Sequence, residues 1–399
     1  MSENIQNLQD ASVDAGVPKA LNYIEKLVAE LCPEGVEYVE LGRLGKRNSG
    51  TSITAAKMKQ IKNPGGEIRI FAAGNNNITA KSNDVPEKDI LLGPSIIVKS
   101  RGHIGFEYYE GKFTHKSELW SYTLNNGEVN QKYVYYFLLT CSQYLQKLAR
   151  SKSVKLPQLA VRDTDNLLVP IPPLEVQNAI VDILDKFTKL EAELEAELAA
   201  RRAQYEYYRN SLFENLSGGG SEILGNLVKI KNGKSYKGFN SGDIPVYGSG
   251  GIMTYVDRSA YSGPSVLIPR KGSIGNIFYV DAPFWNVDTI FYTEINREQV
   301  TPKYLYHALQ VQNLSELNTA GGVPSLTQTV LKRVRIPLPP LAEQERIVKI
   351  LDKFDALVND ISSGLPAEIE ARRKQYEYYR DRLLTFPRKP ESAVEAMQR

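Results

Sequence analysis

Long hydrophobic runs are missing from this 399-residue chain. No stretch approaches the roughly 20 apolar residues of a membrane span, so no membrane contact is expected. The N-terminal MSENIQNLQD is polar and lacks the apolar core of a secretion signal, which makes the cytoplasm the expected location. Cysteine is nearly absent. Cys32 and Cys141 are the only two, and their distance in sequence reads as reduced thiols rather than a disulfide framework. With only three histidines, all scattered, no metal site is expected.

Signatures of catalysis are missing as well. Gly233-Lys234-Ser235 ends like a phosphate-binding loop, but Val228 occupies the earlier glycine position, so the match is accidental. No glycine-rich cofactor fingerprint follows a β-run, and no N/D-P-P-aromatic motif for amino-methylation of a base is present. G-x-S-x-G and H-E-x-x-H are absent too. The chain reads as a binder without a catalytic site or cofactor of its own.

Charge is modest overall, at +3, yet unevenly placed. Residues 33–168 hold 19 Lys/Arg against 13 Asp/Glu, and residues 222–335 hold 12 against 8. Residues 169–216 reverse the balance, with 5 against 9. Positive charge on two globular segments flanking an acidic one suits phosphate binding.

The strongest signal is an internal repeat. PIPPLEVQNAIVDILDKFTKL (170–190) matches PLPPLAEQERIVKILDKFDAL (337–357) at 13 of 21 positions, and RRAQYEYYRNSL (201–212) matches RRKQYEYYRDRL (372–383) at 9 of 12. The offset grows from 167 to 171, so the second copy has gained four residues. The preceding modules repeat more faintly. Gly74 aligns with Gly248, and SIIVKSRGHIG from Ser95 with SVLIPRKGSIG from Ser265. Lys132-Tyr133 aligns with Lys303-Tyr304, and Pro157 with Pro324.

In each copy Pro-Pro suits a helix start. Apolar residues then fall at Ile180, Leu184, Phe187, Leu194, Leu198, Tyr205, Tyr208 and Leu212; with the polar Glu191 and Arg201 as the exceptions, the steps alternate four and three, a heptad seam. One helix is predicted from about Glu175 to Phe213. The second copy carries a stutter with Gly364 and Pro366, which should break or kink it. Two helices with matched seams are expected to pack antiparallel. Tyr205, Tyr207, Tyr208 and Arg209, with Tyr376, Tyr378, Tyr379 and Arg380, are candidates for a partner interface, the alternative for the tyrosines being core packing.

Each module reads as short β-runs punctuated by Gly, Asn and Pro, with one helix near its end (132–150 and 302–317). Around each G-x-I-G lie polar side chains suited to bases or phosphates: Lys99, Ser100, Arg101 and His103 in the first, Arg270, Lys271, Ser273 and Asn276 in the second. Asn75, Asn76 and Ser249 belong to a second pair of candidate loops. The glycines themselves read as turn formers.

The expected fold is thus α+β: two similar domains with mixed sheets, separated by two long antiparallel coiled-coil helices in a pseudo-two-fold repeat. The expected boundaries are a polar tail (1–16), an N-terminal helix (17–32), module 1 (33–168), a central helix (169–216), module 2 (217–335), a distal helical region (336–386) and a C-terminal tail (387–399).

PIPPLxxQxxIVxILDKF, its copy PLPPLAEQERIVKILDKF, the ARRxQYEYYR helix ends and the paired GxIG modules resemble the specificity subunits of type I restriction–modification enzymes. The resemblance spans about Val17 to Phe386. It implies that the modules are target-recognition domains, each reading one half of an asymmetric, interrupted site in double-stranded DNA. The helices would set the spacer and dock two methyltransferase subunits carrying S-adenosylmethionine. Restriction or translocase subunits would add ATP- and Mg-dependent chemistry. The alternative is a coiled-coil adaptor whose two modules bind ligands other than DNA.

Overall fold

The computed structural model describes residue 21 and residues 23–74, 76–124, 127–153, 155–216, 220–318, 324–359 and 364–390. The chain divides into two compact units, Met1–Ala192 with Ala371–Arg399, and Glu193–Glu370. No described helix is long and apolar enough to cross a membrane.

Unit 1 begins with α1 (residues 23–31). β1 (Glu37–Glu40) leads into module 1 and pairs antiparallel with β10 (Leu168–Ile171), which leads out of it. Between them run α2 (Leu41–Leu44), β2 (Gly45–Ser49), α3 (Ala55–Ile61), β3 (Ile68–Phe71), β4 (Ile78–Ala80), β5 (Leu91–Leu92) and β6 (Ser95–Lys99). β7 (Gly105–Tyr109), β8 (Lys112–His115), β9 (Trp120–Leu124), α4 (Gln131–Thr140), α5 (Ser142–Lys152) and α6 (Val161–Asp165) follow. One antiparallel sheet has the order β2-β9-β6-β7; a mixed sheet has the order β4-β3-β8-β5, with β3 parallel to β8. The apolar run Ser95–Val98 is buried throughout, as a short continuous apolar run should be in a strand with both faces covered.

After β10, the helix α7 (Leu174–Glu214) runs unbroken and contributes to both units. Module 2 then repeats the plan. β11 (Gly220–Ile223) precedes α8 (Leu224–Leu227), β12 (Val228–Asn232), β13 (Ile244–Gly248), β14 (Gly251–Val256), β15 (Ser265–Pro269) and β16 (Phe278–Val280). β17 (Trp285–Asn286), β18 (Ile290–Ile295), α9 (Pro302–Val311), α10 (Gln328–Lys332) and β19 (Arg335–Leu338) complete it. The order β12-β18-β15-β16 matches the antiparallel sheet of module 1, β14-β13-β17 matches β4-β3-β8, and β11-β19 matches β1-β10. Among the described residues α3 has no counterpart, and β5 is matched only by the single antiparallel bridge Tyr261↔Phe284.

The distal helix is broken where Gly364 and Pro366 predict it, into α11 (Leu341–Asn359) and α12 (Leu365–Leu383). In unit 1, Phe187 of α7 packs on Tyr376 and Tyr379 of α12, at ring distances of 6.3 and 5.6 Å, and Glu191 pairs with Arg373 at 2.7 Å. Ascending positions on one helix meet descending positions on the other, so the pairing is antiparallel. In unit 2, Tyr208 stacks on Phe354 of α11 at 5.7 Å.

Three expectations need correction. The single helix expected over 132–150 is two, because the chain turns at Cys141. There the Thr140 hydroxyl donates to the Phe137 carbonyl at 2.6 Å, and Cys141 N reaches back only to Leu138 O. Likewise α9 stops at Val311, and only a 3-10 turn covers Leu314–Leu317. The C-terminal tail was expected to be free from residue 387. Instead Val36 N donates to Pro387 O and Lys389 N to Val36 O, each at 2.9 Å, so the tail is pinned through 389. The expected start of the N-terminal helix at 17 lies outside the described residues. Its described part joins the end of α12 in one core, with an ion pair between Glu25 and Arg382.

Candidate nucleic-acid interface

The residues identical in both copies build the joint between module and helix. Gln177 is fully buried. Its amide donates to Pro172 O (2.7 Å) and Glu128 O (3.0 Å), and its carbonyl accepts from Asn130 N (2.8 Å). Gln344 repeats this with Pro339 O (2.9 Å), Gln299 O (3.0 Å) and Thr301 N (2.8 Å). A few residues along, Lys132 pairs with Asp185 at 2.7 Å and Lys303 with Asp352 at 2.6 Å. The hydroxyl of Tyr133 donates to Pro170 O, and that of Tyr304 to Pro337 O. Each glutamine satisfies backbone groups that burial would otherwise leave unpaired. The sequence repeat marked these positions without revealing their role.

The residue facing the joint aspartate from the helix differs between the copies. Tyr136 donates to Asp185 at 2.5 Å, whereas its counterpart His307 sits 3.7 Å from Asp352 through Nε2. That Nε2 is buried without a hydrogen-bond partner, while Nδ1 faces the Tyr205 hydroxyl at 3.2 Å. Burial holds the His307 pKa below the ordinary imidazole value, against the pull of Asp355 and Asp352.

The G-x-I-G segments fold alike. Gly102 and Gly272 adopt φ of +76° and +77°, a region side chains disfavour, which establishes them as turn formers. Each turn is anchored twice. Its isoleucine, Ile104 or Ile274, plugs the core, and its glycine N–H donates to the aligned proline, Gly102 to Pro157 O (2.9 Å) and Gly272 to Pro324 O (3.0 Å).

This frame decides which candidate side chains are available. Arg101 and Lys271 occupy equivalent positions, are exposed, and have no side-chain partner among the described residues. His103, Ser273 and Asn276 are exposed beside them. Lys99 is committed to Glu107 at 2.7 Å. Ser100 is buried and donates to the Glu118 carbonyl, so it belongs to the frame rather than the surface. Arg270 aligns with Ser100, not with Arg101. It is half-buried, its guanidinium lies 5.2 Å from the Phe291 ring centre, and its Nε is buried and unpaired. Asn76 is exposed and donates to Ala73 O at 3.3 Å; Asn75 lies outside the described residues. Ser249 adjoins the second turn, since a Cβ on Gly272 would stand 3.5 Å from its Oγ.

The tyrosine clusters sort in the same way in both copies. Tyr205 and Tyr376 are buried, with Arg209 and Arg380 over their rings, so these two tyrosines pack the core. Tyr208 and Tyr379 lie against Phe354 and Phe187. Tyr207 and Tyr378 are the most exposed of the six, at 69% and 60%. Among the described residues, no group of His, Cys, Asp and Glu is arranged to hold a metal ion.

The chain is similar to known proteins in sequence and in fold. Residues 33–200 and 223–371 match the family described as Type I restriction modification DNA specificity domain. A putative type I restriction enzyme specificity subunit of Haemophilus influenzae is 33% identical over 347 residues, 78% of this chain and 87% of its own length. The EcoR124I/EcoR124II specificity subunit of Escherichia coli is 31% identical over 410 residues, 93% of this chain and 98% of its own. In fold, the S subunit of a type I restriction–modification system from M. genitalium superimposes with a TM-score of 0.59 at 18% identity, covering 90% of this chain and 97% of that one.

Proposed function

The chain belongs to the type I restriction–modification DNA specificity family, and from that premise we propose that each module reads one half of a bipartite, asymmetric DNA target. The observation that carries this reading is the doubled turn. Two modules of one topology present Arg101 and Lys271 outward from the same anchored loop, while the polar side chains around them differ. A shared frame with different polar chemistry suits two readers of different base sequences. Asn76, His103, Ser249, Ser273 and Asn276 complete the candidate reading surface. Lys99 and Arg270 contribute if their present contacts yield to DNA.

The specificity subunit does no chemistry itself. Tyr207 and Tyr378, exposed at matching places, are proposed contacts for two methyltransferase subunits, which would bring S-adenosylmethionine. Restriction subunits using ATP and Mg would complete the assembly, in the cytoplasm. The tandem LEAE of α7 (190–197) is proposed to set the spacer between half-sites. Its Leu194 and Leu198 are only half-buried, so four residues can leave with little core disturbed.

The test is to co-purify the chain with its methyltransferase partner and map methylated adenines across a genome. A bipartite, asymmetric motif is expected. Absence of any modification despite a competent partner would contradict the proposal.

A further inference from the structure

The β13–β14 hairpin of module 2 carries a feature that its counterpart in module 1 lacks. Ile252, Met253 and Tyr255 on β14 are 50%, 57% and 51% exposed. In β4, the matching strand, Ile78 and Thr79 are half-buried and Ala80 is buried. β14 is the edge of its sheet, and an exposed apolar edge is a liability that folding alone gives no reason to keep.

The exposure is built in. Val246 pairs with Thr254 and Tyr247 with Ile252, leaving Met253 as the extra residue of a β-bulge. Bulges re-aim side chains. Met253 is seated over Gly248, where a Cβ would come within 2.6 Å of the Met253 sulfur. The hairpin tip, Gly248-Ser249-Gly250-Gly251, has almost no side-chain bulk. An open cavity of about 600 Å³ beside it is lined by Met253, Tyr236, Lys237, Ser249 and Thr289. Thr289 O accepts the backbone N–H of Arg270, which ties this wall of the cavity to the residue two before Gly272. Lys237, exposed and lining the same cavity as Met253, supplies the charge a phosphate backbone attracts.

A two-stranded ribbon is one of the shapes the major groove admits, and the thymine 5-methyl is the apolar group presented there. We infer that the β13–β14 ribbon reads thymine methyl groups through Ile252 and Met253, so that the half-site of module 2 contains an A·T pair recognised by apolar contact. This rests on the DNA-reading function proposed above.

The experiment uses the full chain with its methyltransferase partner and duplexes carrying the mapped target, in which each thymine in turn is replaced by deoxyuridine, removing only the methyl. Binding of the wild-type complex should weaken about fourfold at one or more thymines, the worth of one buried methyl, and all of these should fall within one half-site. The Ile252→Ser/Met253→Ser double variant should bind thymine and deoxyuridine duplexes alike. Wild-type indifference to every replacement overturns the inference, as does discrimination that survives in the double variant. Loss of the methyltransferase from the double variant, with discrimination intact, would make the strip a protein contact instead. A wild-type complex that binds no duplex in a salt-dependent way would defeat the DNA-reading function itself, a result distinguishable from the others.

Discussion

The two modules share a frame and differ on its surface. Gln177 and Gln344, Lys132 and Lys303, and Asp185 and Asp352 make nearly superimposable contacts. Elsewhere the modules part, with Ser100 against Arg270 and β4 against the bulged, apolar β14, and beside the joint aspartate Tyr136 stands against His307. Identity is kept in the side chains that close the joint, and chemistry varies both at packed positions such as His307 and on the exposed strip of β14. A protein reading two unlike sequences with one scaffold needs that division.

The helices differ as the modules do, and the largest effect should come from exploiting that. Deleting Leu194–Glu197 removes one LEAE and about 6 Å of helix, close to two base steps of ~3.4 Å. Methylation should be lost at the native target and reappear at one whose spacer is shorter, with both half-sites unchanged. An unaltered spacer in methylation sequencing would remove α7 from any measuring role.

Next come the joints. Gln344→Ala leaves Thr301 N and two carbonyls without partners in a buried site, at a cost of about 2–4 kcal/mol. Hydrogen exchange should show the loss confined to module 2, and Gln177→Ala the same loss in module 1. Equal loosening of both modules by either change would show that the joints are not independent.

Charge reversal is expected to be milder. Arg101→Glu and Lys271→Glu should each weaken contact with its own half-site by about 1–3 kcal/mol, with folding intact because both side chains are exposed. Arg270→Glu is a poorer probe, since it would also disturb packing on Phe291. Binding to half-site variants distinguishes the cases. No change from either reversal would reduce both turns to structure.

The smallest effect concerns pH. Burial lowers the His307 pKa in the folded protein, so the unfolded chain takes the proton first. The stabilisation is present above the ordinary imidazole value near ~6.5 and is lost as pH falls below it and through the folded pKa, by at most about 1.4 kcal/mol per pH unit. His115 in module 1 is displaced in the same direction by burial. His307→Tyr, which copies module 1, should therefore remove the acid sensitivity of module 2 alone. Unfolding curves at pH 7 and pH 5 provide the check.

Much of this architecture is legible in sequence because long-range identity is hard to mistake. The Pro-Pro start and heptad steps place α7 within a residue at each end, the second Pro-Pro marks the start of α11, and Gly364 and Pro366 mark the start of α12. The break at Cys141 is not legible, since it depends on a side chain competing for a carbonyl. The reading surface is only half legible. Composition identifies Arg101 and Lys271, but inward and outward positions alternate along a strand, and a one-residue difference in alignment separates the exposed Arg101 from the half-buried Arg270. The apolar strip of β14 escaped notice because its exposure depends on a bulge that sequence does not announce.

The central claim is that each module carries its own half-site. The paired strands that close the modules, Glu37↔Ile171 and Gly220↔Leu338, offer matched cut points. Replacing residues 220–338 with a second copy of 37–171 gives a chain with two copies of module 1. Mapping methylated adenines with the native methyltransferase partner should then yield a target containing the first half-site twice and the second not at all. Retention of the original asymmetric target by that chimera would contradict the account.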